Sequence, residues 1–330
     1  MMRKGHGWAV ITMAATLGLV GAGCGGGSKS AGHPLGDQAI KAVDAVARAG
    51  TFQNPLDAAP SPNGNIVYFT ATGQHGPALL RVPAAGGSES TVAEGAPLAK
   101  PTGVALATNG ERIYVADQQA QPLDAVASAA TSGAILTVPT AGTPVTPHVL
   151  PGTQGRSPRG LDVVNLSDAD VIYFTGIDPA NGPPGLFQVS ADGGTVITLA
   201  EGAPFVNPDS VVVTSLGVAY VTDQGAGAGQ GQVFRVTGGT VTPVLSHLHL
   251  GSPAGVTLAN NDATLLVSSI DPATNADQVL FLDLATGKTA AATKVVGANQ
   301  NSSGGLHRAH GAAVAAWCDT AGAVYRIRFP

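Results

Sequence analysis

A ten-residue segment occurs twice in the chain with few changes. Val92–Pro101 reads VAEGAPLAKP, and Leu199–Pro208 reads LAEGAPFVNP. Weaker copies begin at Val46, Val149, Leu245 and Val295. Consecutive copies start 46, 57, 50, 46 and 50 residues apart, which is the period of a repeat protein whose units are too short to bury a core alone. The repeat therefore restricts the chain to a fold of similar units that pack against their neighbours.

Each repeat contains four short apolar stretches separated by turn residues. In one repeat the first stretch is GVALA (Gly103–Ala107), and the Asn109-Gly110 pair that follows is a strong hairpin signal. The second stretch is IYVAD, from Ile113, and the third is AILTVP, from Ala134. A glycine-containing turn then leads to the fourth, and the 45 glycines and 23 prolines of the chain are spread through such turns. Four strands per unit predict the blades of an all-β propeller.

The number of blades follows from the number of repeats. Five units are complete, and a sixth begins after Gly304 but reaches Pro330 with only three strands. The segment Ile40–Gly50 resembles the fourth strands and precedes the first complete unit. We therefore predict a six-bladed β-propeller over residues 38–330, with four-stranded blades and the last blade closed by an N-terminal strand. Such closure removes the open sheet edges that invite aggregation.

The first residues have the order of a secretory signal peptide. Arg3 and Lys4 precede an uncharged, mostly apolar stretch (Trp8–Val20), and small residues then lead to Cys24. This end resembles the bacterial lipobox, in which the cysteine is lipidated and becomes the new N-terminus. Gly21 stands where the lipobox usually has leucine, so an ordinary signal peptide followed by a chance cysteine stays an alternative. A membrane-spanning helix is disfavoured, because the apolar stretch is shorter than the ~20 residues that such a helix needs. We expect residues 1–23 to be a lipoprotein signal peptide and Cys24 to be the lipidation site.

The composition of the remaining chain fits a protein held outside the cytoplasm. Residues 24–37 are rich in glycine and serine and are expected to form a flexible tether. Loss of residues 1–23 leaves 14 basic and 21 acidic residues, a net charge of −7. This acidic sequence has no cluster of lysine and arginine, which argues against nucleic-acid binding. With Cys24 lipidated, Cys318 has no intrachain disulfide partner. We expect an extracytoplasmic monomer on a bacterial membrane, with a small ligand or a cell-envelope protein as its partner.

The second strands carry a resemblance to known propellers. IYVAD, AYVTD and VYFTA, the first preceded by Pro-x-Gly-Val-x-Leu at Pro101–Leu106, resemble NHL-type, YVTN-type and gluconolactonase/strictosidine-synthase-like propellers over about residues 38–330. The gluconolactonase-like enzymes hold one divalent cation at the mouth of the central channel with a glutamate, an asparagine and an aspartate. The resemblance thus implies a metal-dependent lactonase or esterase, in which the metal polarises the carbonyl and activates water.

The expected ligand set is incomplete in this chain. Only Pro208–Ser210 resembles the segment that carries the family's aspartate, which makes Asp209 the candidate catalytic residue. The first blade offers Asn54 and Asp57 but no glutamate. Asp57 and Asp209 are therefore weak candidates for a calcium site, with Asn54 as a further oxygen ligand. No cofactor other than calcium is suggested.

Ligands of propellers usually bind at the upper mouth of the channel, which is built from fourth-to-first connectors and second-to-third loops. The candidate ligand-binding residues at these positions are Asn54, Asp57, Lys100, Arg159, Asn207 and Asp209. Arg159 opposes a cation there and favours an anionic ligand. The longest insertion, Gln118–Ser132, is expected on the same face. It is either a lid that covers the channel or an ordinary surface loop.

The histidines and the second cysteine are expected to be structural. In GGLHRAHGAAVAAWCD (Gly304–Asp319), His307 and His310 are three residues apart and point to opposite faces of a strand, while Cys318 lies inside the next strand. His247 and His249 are two residues apart and share a face if they lie on a strand. A shared metal is one interpretation of that pair, and exposed histidines at a strand end are the other.

Aspartates recur where the second strand of a repeat ends. They are Asp117, Asp178, Asp223, Asp271 and Asp319. A residue that recurs in most units suggests a structural role, and an aspartate accepts hydrogen bonds from the backbone N–H groups of the turn that follows. We expect these carboxylates to cap turns.

Three functions remain open on the sequence alone. The first is a lipid-anchored binding propeller that takes a ligand or a protein partner at its upper face, and the second is the metal-dependent hydrolase. The third, a structural protein of the cell envelope, differs from the first only in lacking a specific ligand. The residues around Asp209 and Arg159 distinguish the first two, since converging carboxylates favour the enzyme and an Arg159-dominated mouth favours binding.

Overall fold

The computed structural model describes residues 33–120, 133–142, 144–180, 182–292 and 302–330. The predicted signal peptide and Cys24 lie outside these residues. The described chain begins with a 3₁₀ helix (Gly36–Ala39), which spans the predicted end of the tether, and strand β1 (Ala42–Arg48). No helix in the described ranges combines the length and the apolar character needed to cross a membrane.

The first three blades follow in chain order, each a four-stranded antiparallel sheet. Blade 1 contains β2 (Gln53–Pro60), β3 (Ile66–Thr72), β4 (Pro77–Pro83) and β5 (Ser90–Glu94). Blade 2 contains β6 (Pro101–Leu106), β7 (Arg112–Asp117), β8 (Ala134–Pro139) and β9 (His148–Val149). Blade 3 contains β10 (Leu161–Leu166), β11 (Ala169–Ile177), β12 (Pro184–Ser190) and β13 (Ile197–Glu201).

The last three blades repeat this arrangement, with one difference at the end. Blade 4 contains β14 (Pro208–Val213), β15 (Ala219–Asp223), a helical turn α1 (Ala226–Gly229), β16 (Gln232–Thr237) and β17 (Thr240–Ser246). Blade 5 contains β18 (Val256–Ala259), β19 (Thr264–Ile270), β20 (Asp277–Asp283) and β21 (Thr289–Ala292). Blade 6 contains β22 (Ser303–Arg308), β23 (Val314–Asp319), β24 (Ala323–Arg328) and, as its outer strand, β1.

The pairing of β1 with β24 closes the ring. The two strands run antiparallel, with Ala42 opposite Arg328 and Ala45 opposite Tyr325. Asp44 of β1 also accepts hydrogen bonds from Arg326 and Arg328 of β24, at 3.1 and 3.0 Å. The predicted six-bladed propeller, and its closure by the N-terminal strand, are therefore confirmed.

The apolar core consists of layers between neighbouring blades. Between blades 6 and 1, for example, Val46 of β1, Phe69 of β3 and Cys318 of β23 belong to one buried cluster. Every other pair of neighbouring blades shares a similar cluster. Burial of a large apolar side chain contributes about 1.5–3 kcal/mol, so these layers are what hold the blades together. Cys318 is a buried free thiol within such a layer, as expected.

Hydroxyl groups of the second strands of blades 3, 4 and 5 add a polar link from each of these blades to the next. Three such groups donate to a carbonyl of the following blade: Thr175 Oγ1 to Asp209 (2.6 Å), Thr222 Oγ1 to Ala254 (2.6 Å) and Ser268 Oγ to Gly304 (2.7 Å). Cys318 precedes Asp319 as Thr222 precedes Asp223, so the cysteine occupies the same place in blade 6. These links fix the height of the inner strands of blades 4, 5 and 6, each relative to the preceding blade.

The inner strands approach one another so closely that glycine is required between them. A Cβ atom on Gly103 would lie 2.6 Å from the carbonyl oxygen of Arg159 in the next blade. Cβ atoms on Gly160, Gly255 and Gly305 would also collide with atoms of the next blade. Below this level the first-to-second hairpins form the lower mouth of the channel, and above it the fourth-to-first connectors form the upper mouth.

The recurrent aspartates cap the upper connectors and loops, as predicted, but they occupy two different positions. Asp117, Asp223 and Asp319 are the last residues of their strands, whereas Asp178 and Asp271 lie just past β11 and β19. Asp223 accepts four backbone N–H groups, from Val206, Asn207, Gly225 and Ala226, at 2.8–3.0 Å. Asp178 and Asp271 instead accept the N–H two residues ahead, in the manner of a local turn.

Replacing Asp223 with asparagine is expected to lower the free energy of unfolding by about 2–3 kcal/mol, because an amide nitrogen replaces one acceptor oxygen and leaves N–H groups unpaired. Chemical denaturation of both proteins measures the difference. Asp168→Asn is the matched control, since Asp168 is exposed at a turn with a φ of 65° that asparagine also adopts. Equal midpoints for the two variants would contradict a role of Asp223 in holding the connector.

Candidate functional site

The six residues predicted to surround the upper mouth lie at different depths. Asn54 and Lys100 are exposed, Asn207 and Arg159 are half-buried, and Asp57 and Asp209 are buried. The backbone N–H groups of Lys100 and Asn207 are held by Asp117 and Asp223, respectively, so their connectors are fixed. Residues 121–132, which contain most of the insertion considered as a lid, lie outside the described residues.

Arg159 and Asp209 form a pair across the boundary between blades 3 and 4. Arg159 lies two residues before the inner strand of blade 3, and Asp209 is the second residue of β14. The Nη1 of Arg159 lies 3.3 Å from Oδ1 of Asp209. The backbone of both residues is anchored, because Thr102 Oγ1 donates to the Arg159 carbonyl (2.9 Å) and Thr175 Oγ1 to that of Asp209. The pair is therefore held in place by its own backbone as well as by its charges.

The two side chains differ in their access to solvent. The Asp209 side chain is 5% exposed, while the Arg159 side chain is 30% exposed. Within the described residues, Oδ2 of Asp209 is buried and has no hydrogen-bond partner. A buried carboxylate oxygen without a donor is costly. Arg159 thus presents its charge towards the mouth, and Asp209 lies beneath it with one unused acceptor.

Burial raises the pKa of Asp209 to about 7, since desolvation outweighs the opposing effect of the Arg159 charge, and the nearby Asp223 carboxylate raises it further. The carboxyl group is consequently protonated in a large fraction of molecules near neutral pH. When it is protonated, the positive charge of Arg159 is uncompensated by Asp209. The net charge of this pair therefore changes over the physiological pH range.

Asp57 occupies a different place from Asp209, on the inner strand of blade 1. Its Oδ2 accepts the N–H of Val104 in blade 2 (2.8 Å) and lies 2.8 Å from Nε2 of His307 in blade 6. Its Oδ1 accepts the N–H of Ala58 at 3.0 Å. Both oxygens of Asp57 are thus engaged, and Oδ2 joins blade 1 to blades 2 and 6.

The pairing of His307 with Asp57 was not predicted from the sequence. Burial lowers the pKa of His307, but the Asp57 carboxylate more than offsets this and leaves the pKa above its usual value. The two residues form a buried, hydrogen-bonded pair, which agrees with the structural role expected of His307. In the described residues no group of three or more His, Cys, Asp or Glu side chains is placed to hold a metal ion.

The other histidines also occupy separate places. Strand β17 ends at Ser246, and His247 follows with a φ of 61°, so the alternation that would put His247 and His249 on one face does not apply. Both are exposed, and Nδ1 of His247 contacts Oε1 of Gln230. This agrees with exposed histidines at a strand end. His310 lies in the lower mouth, where a cavity of about 860 Å³ opens between the hairpins.

That cavity is the feature that sequence reasoning missed. Its polar lining includes Asn165, Asn261, Arg308 and His310, which come from three different blades. The only signal in the sequence was the cluster of polar residues in the first-to-second hairpins, and hairpin turns are polar in most proteins. The ring geometry is what brings these turns together around one opening.

Comparison with solved structures gives propellers. A gluconolactonase from Xanthomonas campestris matches with a TM-score of 0.58 and 14% sequence identity, covering 90% of this chain and 99% of that chain. A chain of a nidogen/laminin complex matches with a TM-score of 0.54 and 21% identity, covering 72% of this chain and 79% of that one. Hydrazine synthase from Kuenenia stuttgartiensis matches with a TM-score of 0.51 and 14% identity, over 82% of this chain and 75% of that chain.

No protein-family model and no curated protein sequence matches the chain. At identities of 14–21% the structural matches show the fold and leave the activity open. They confirm the resemblance suggested by the second-strand motifs: the chain is a six-bladed β-propeller similar in structure to a gluconolactonase.

Proposed function

We propose that this protein is a lipid-anchored, extracytoplasmic propeller that binds a ligand or a protein partner carrying an anionic group at its upper mouth. The observation that carries the proposal is the Arg159–Asp209 pair. Arg159 is partly exposed at the mouth, and the carboxyl group beneath it has a pKa of about 7. A guanidinium whose neighbouring carboxylate is easily neutralised is suited to a carboxylate or phosphate ligand.

A second candidate function is a metal-dependent lactonase or esterase of the gluconolactonase-like type. The observation in its favour is Asp209 itself, since a carboxyl group with a pKa near 7 and an unused oxygen is suited to act as a general base. The missing cluster of metal ligands in the described residues and the position of Arg159 weigh against it. Asp57 supplies no second ligand, because His307 and two backbone N–H groups occupy its oxygens.

The two functions predict opposite effects of pH on binding. An anion is expected to bind more tightly at pH 6 than at pH 8, because protonation of Asp209 leaves the charge of Arg159 free. Acetate, gluconate and inorganic phosphate are suitable probes in thermal melts of the full chain. A ligand present at one hundred times its dissociation constant adds about 2.7 kcal/mol to stability. Arg159→Ala is expected to weaken binding about tenfold or more, and Asp209→Asn to remove the pH dependence while retaining binding.

Calcium chloride and EDTA in the same melts provide the contrasting test. Arg235→Ala is the matched control, since Arg235 is an exposed arginine on the third strand of blade 4. A calcium-dependent rise in melting temperature that grows from pH 6 to pH 8 and disappears in Asp209→Asn would contradict the binding function and support the hydrolase. Anion effects that are equal in wild type and Arg159→Ala would also contradict the proposed site.

The proposed lipid anchor is supported by the leader and by Cys24, and it has a separate test. The full chain expressed in a bacterium is expected to fractionate with membranes, and Cys24→Ala to leave the membrane fraction, because the acyl chains attach to that cysteine. Cys318→Ala is the control, since Cys318 is buried within the propeller and offers no attachment point. Membrane association that survives Cys24→Ala would contradict lipidation at this residue.

A further inference from the structure

The lower mouth of the channel contains a cavity unrelated to the Arg159–Asp209 pair. Its volume is about 860 Å³, which lies in the range of small-molecule sites, about 300–1,000 Å³. The lining comes from the first-to-second hairpins of blades 2 to 6, from the lower ends of the inner strands, and from Phe329 and Pro330, which follow β24. A concave site at the centre of the ring, built from several blades, is the kind of place where a small ligand is enclosed.

One side of this mouth is held rigid by Asp262. Its Oδ1 accepts from Nη1 of Arg308, and its Oδ2 accepts the N–H of Ser215 at 2.7 Å. Nη2 of Arg308 also donates to the carbonyl of Val213 at 3.0 Å. Arg308, from blade 6, is thereby tied to blades 5 and 4, and its charge is neutralised within the mouth.

Asp170 has the same function on the other side. It accepts the N–H of Thr108 at 2.8 Å and the hydroxyl of Thr108 at 2.5 Å, which ties blade 3 to blade 2. Nδ2 of Asn165 donates to the same carboxylate at 3.1 Å. Both carboxylates of the mouth are therefore already saturated by protein donors, and the mouth is preorganised without a ligand.

The side chains that remain free and are exposed to the cavity are uncharged and both donate and accept hydrogen bonds; Nε of Arg308 is also unpaired, but it is buried. His310 and Asn261 are exposed to the cavity and make no hydrogen bond within the described part of the chain. Burial in the concave mouth, together with the charges of Arg308 and His307, lowers the pKa of His310 against the opposing effect of Asp162 and Asp170. The imidazole is thus neutral at physiological pH and offers one donor and one acceptor. The carbonyl oxygen of the Asn165 side chain is a further acceptor.

Apolar side chains supply the remainder of the lining. Val164, Leu258, Val314 and Phe329 border the same cavity. Among the described residues, no side chain of the lining offers a charged ligand an exposed, unpaired opposite charge: Arg308 is paired with Asp262, and a cation would have to displace donors from Asp170 or Asp262. The fitting ligand is uncharged, rich in groups that both donate and accept, and apolar on at least one face.

We propose that the lower mouth binds an uncharged saccharide. Sugar hydroxyls both donate and accept, which matches His310, Asn261 and the Asn165 carbonyl, and the C–H face of a sugar ring packs on apolar surfaces such as Phe329 and Val314. The site is independent of the proposed function, since no residue of the upper mouth takes part in it.

Isothermal titration of the full-length protein with neutral sugars tests the proposal. The sugars are glucose, N-acetylglucosamine, maltose and trehalose. At about 10 mM, each gives a detectable signal if its dissociation constant is millimolar or smaller. Glucosamine serves as the cationic counterpart, and gluconate, titrated into Arg159→Ala so that the upper mouth does not contribute, serves as the anionic one. At least one neutral sugar is expected to bind, more tightly than either charged counterpart, and His310→Ala and Asn261→Ala are each expected to weaken it about tenfold, equivalent to about 1.4 kcal/mol.

Three further variants keep the result interpretable. Ala313→Trp places a large side chain at the exposed rim of the cavity and is expected to abolish binding without altering the core. His148→Ala, an exposed histidine on β9, and Arg159→Ala, at the upper mouth, are expected to bind sugar as the wild type does. Circular dichroism melts within a few degrees of wild type establish that each variant is folded.

The proposal is overturned if the folded wild type binds none of the neutral sugars at this concentration, or if Ala313→Trp retains full affinity. Equal or tighter binding of gluconate or glucosamine overturns the assignment of an uncharged ligand. Loss of sugar binding in Arg159→Ala with retention in His310→Ala places the sugar at the upper mouth and equally overturns it.

Discussion

Packing between neighbouring blades is the interaction on which the rest of the structure depends. Each four-stranded sheet is buried mainly against the sheet on either side, in apolar layers such as the one shared by Val46, Phe69 and Cys318. A blade at an open end of the series would expose one such layer to water. The ring must therefore close, and the antiparallel pairing of β1 with β24 closes it with main-chain hydrogen bonds and the Asp44 carboxylate.

Closure also determines where polar side chains are found. The inner strands meet at glycines such as Gly103 and Gly160, so polar groups near the axis are removed from water and have to pair across blade boundaries. Asp57 and His307 pair between blades 1 and 6. Arg159 and Asp209 pair between blades 3 and 4, and the buried Oδ2 of Asp209 has no hydrogen-bond partner among the described residues.

The fold could be predicted because its information is local and repeated. Asn109-Gly110 indicates a turn, and the residues of IYVAD favour a strand independently of the rest of the chain. The segment Ile40–Gly50 resembles the fourth strands, and it contains β1. The site could be predicted only in part. Asp57 and His307 are 250 residues apart, and the sequence around either residue does not indicate that the two form a pair. The lower cavity depends on how hairpins of five blades converge, which is a property of the ring rather than of any segment.

Native-state hydrogen exchange of the β1 amides tests most directly the claim that the N-terminal strand completes the ring. If β1 is an integral strand of blade 6, those of its amides that are hydrogen-bonded to β24 exchange only through global unfolding and are protected as strongly as the amides of β24. We predict equal protection of these β1 amides and the β24 amides across a denaturant series. Exchange of β1 within seconds, while β24 and the other blades stay protected, would contradict it and would mean that the ring is held by side-chain packing alone.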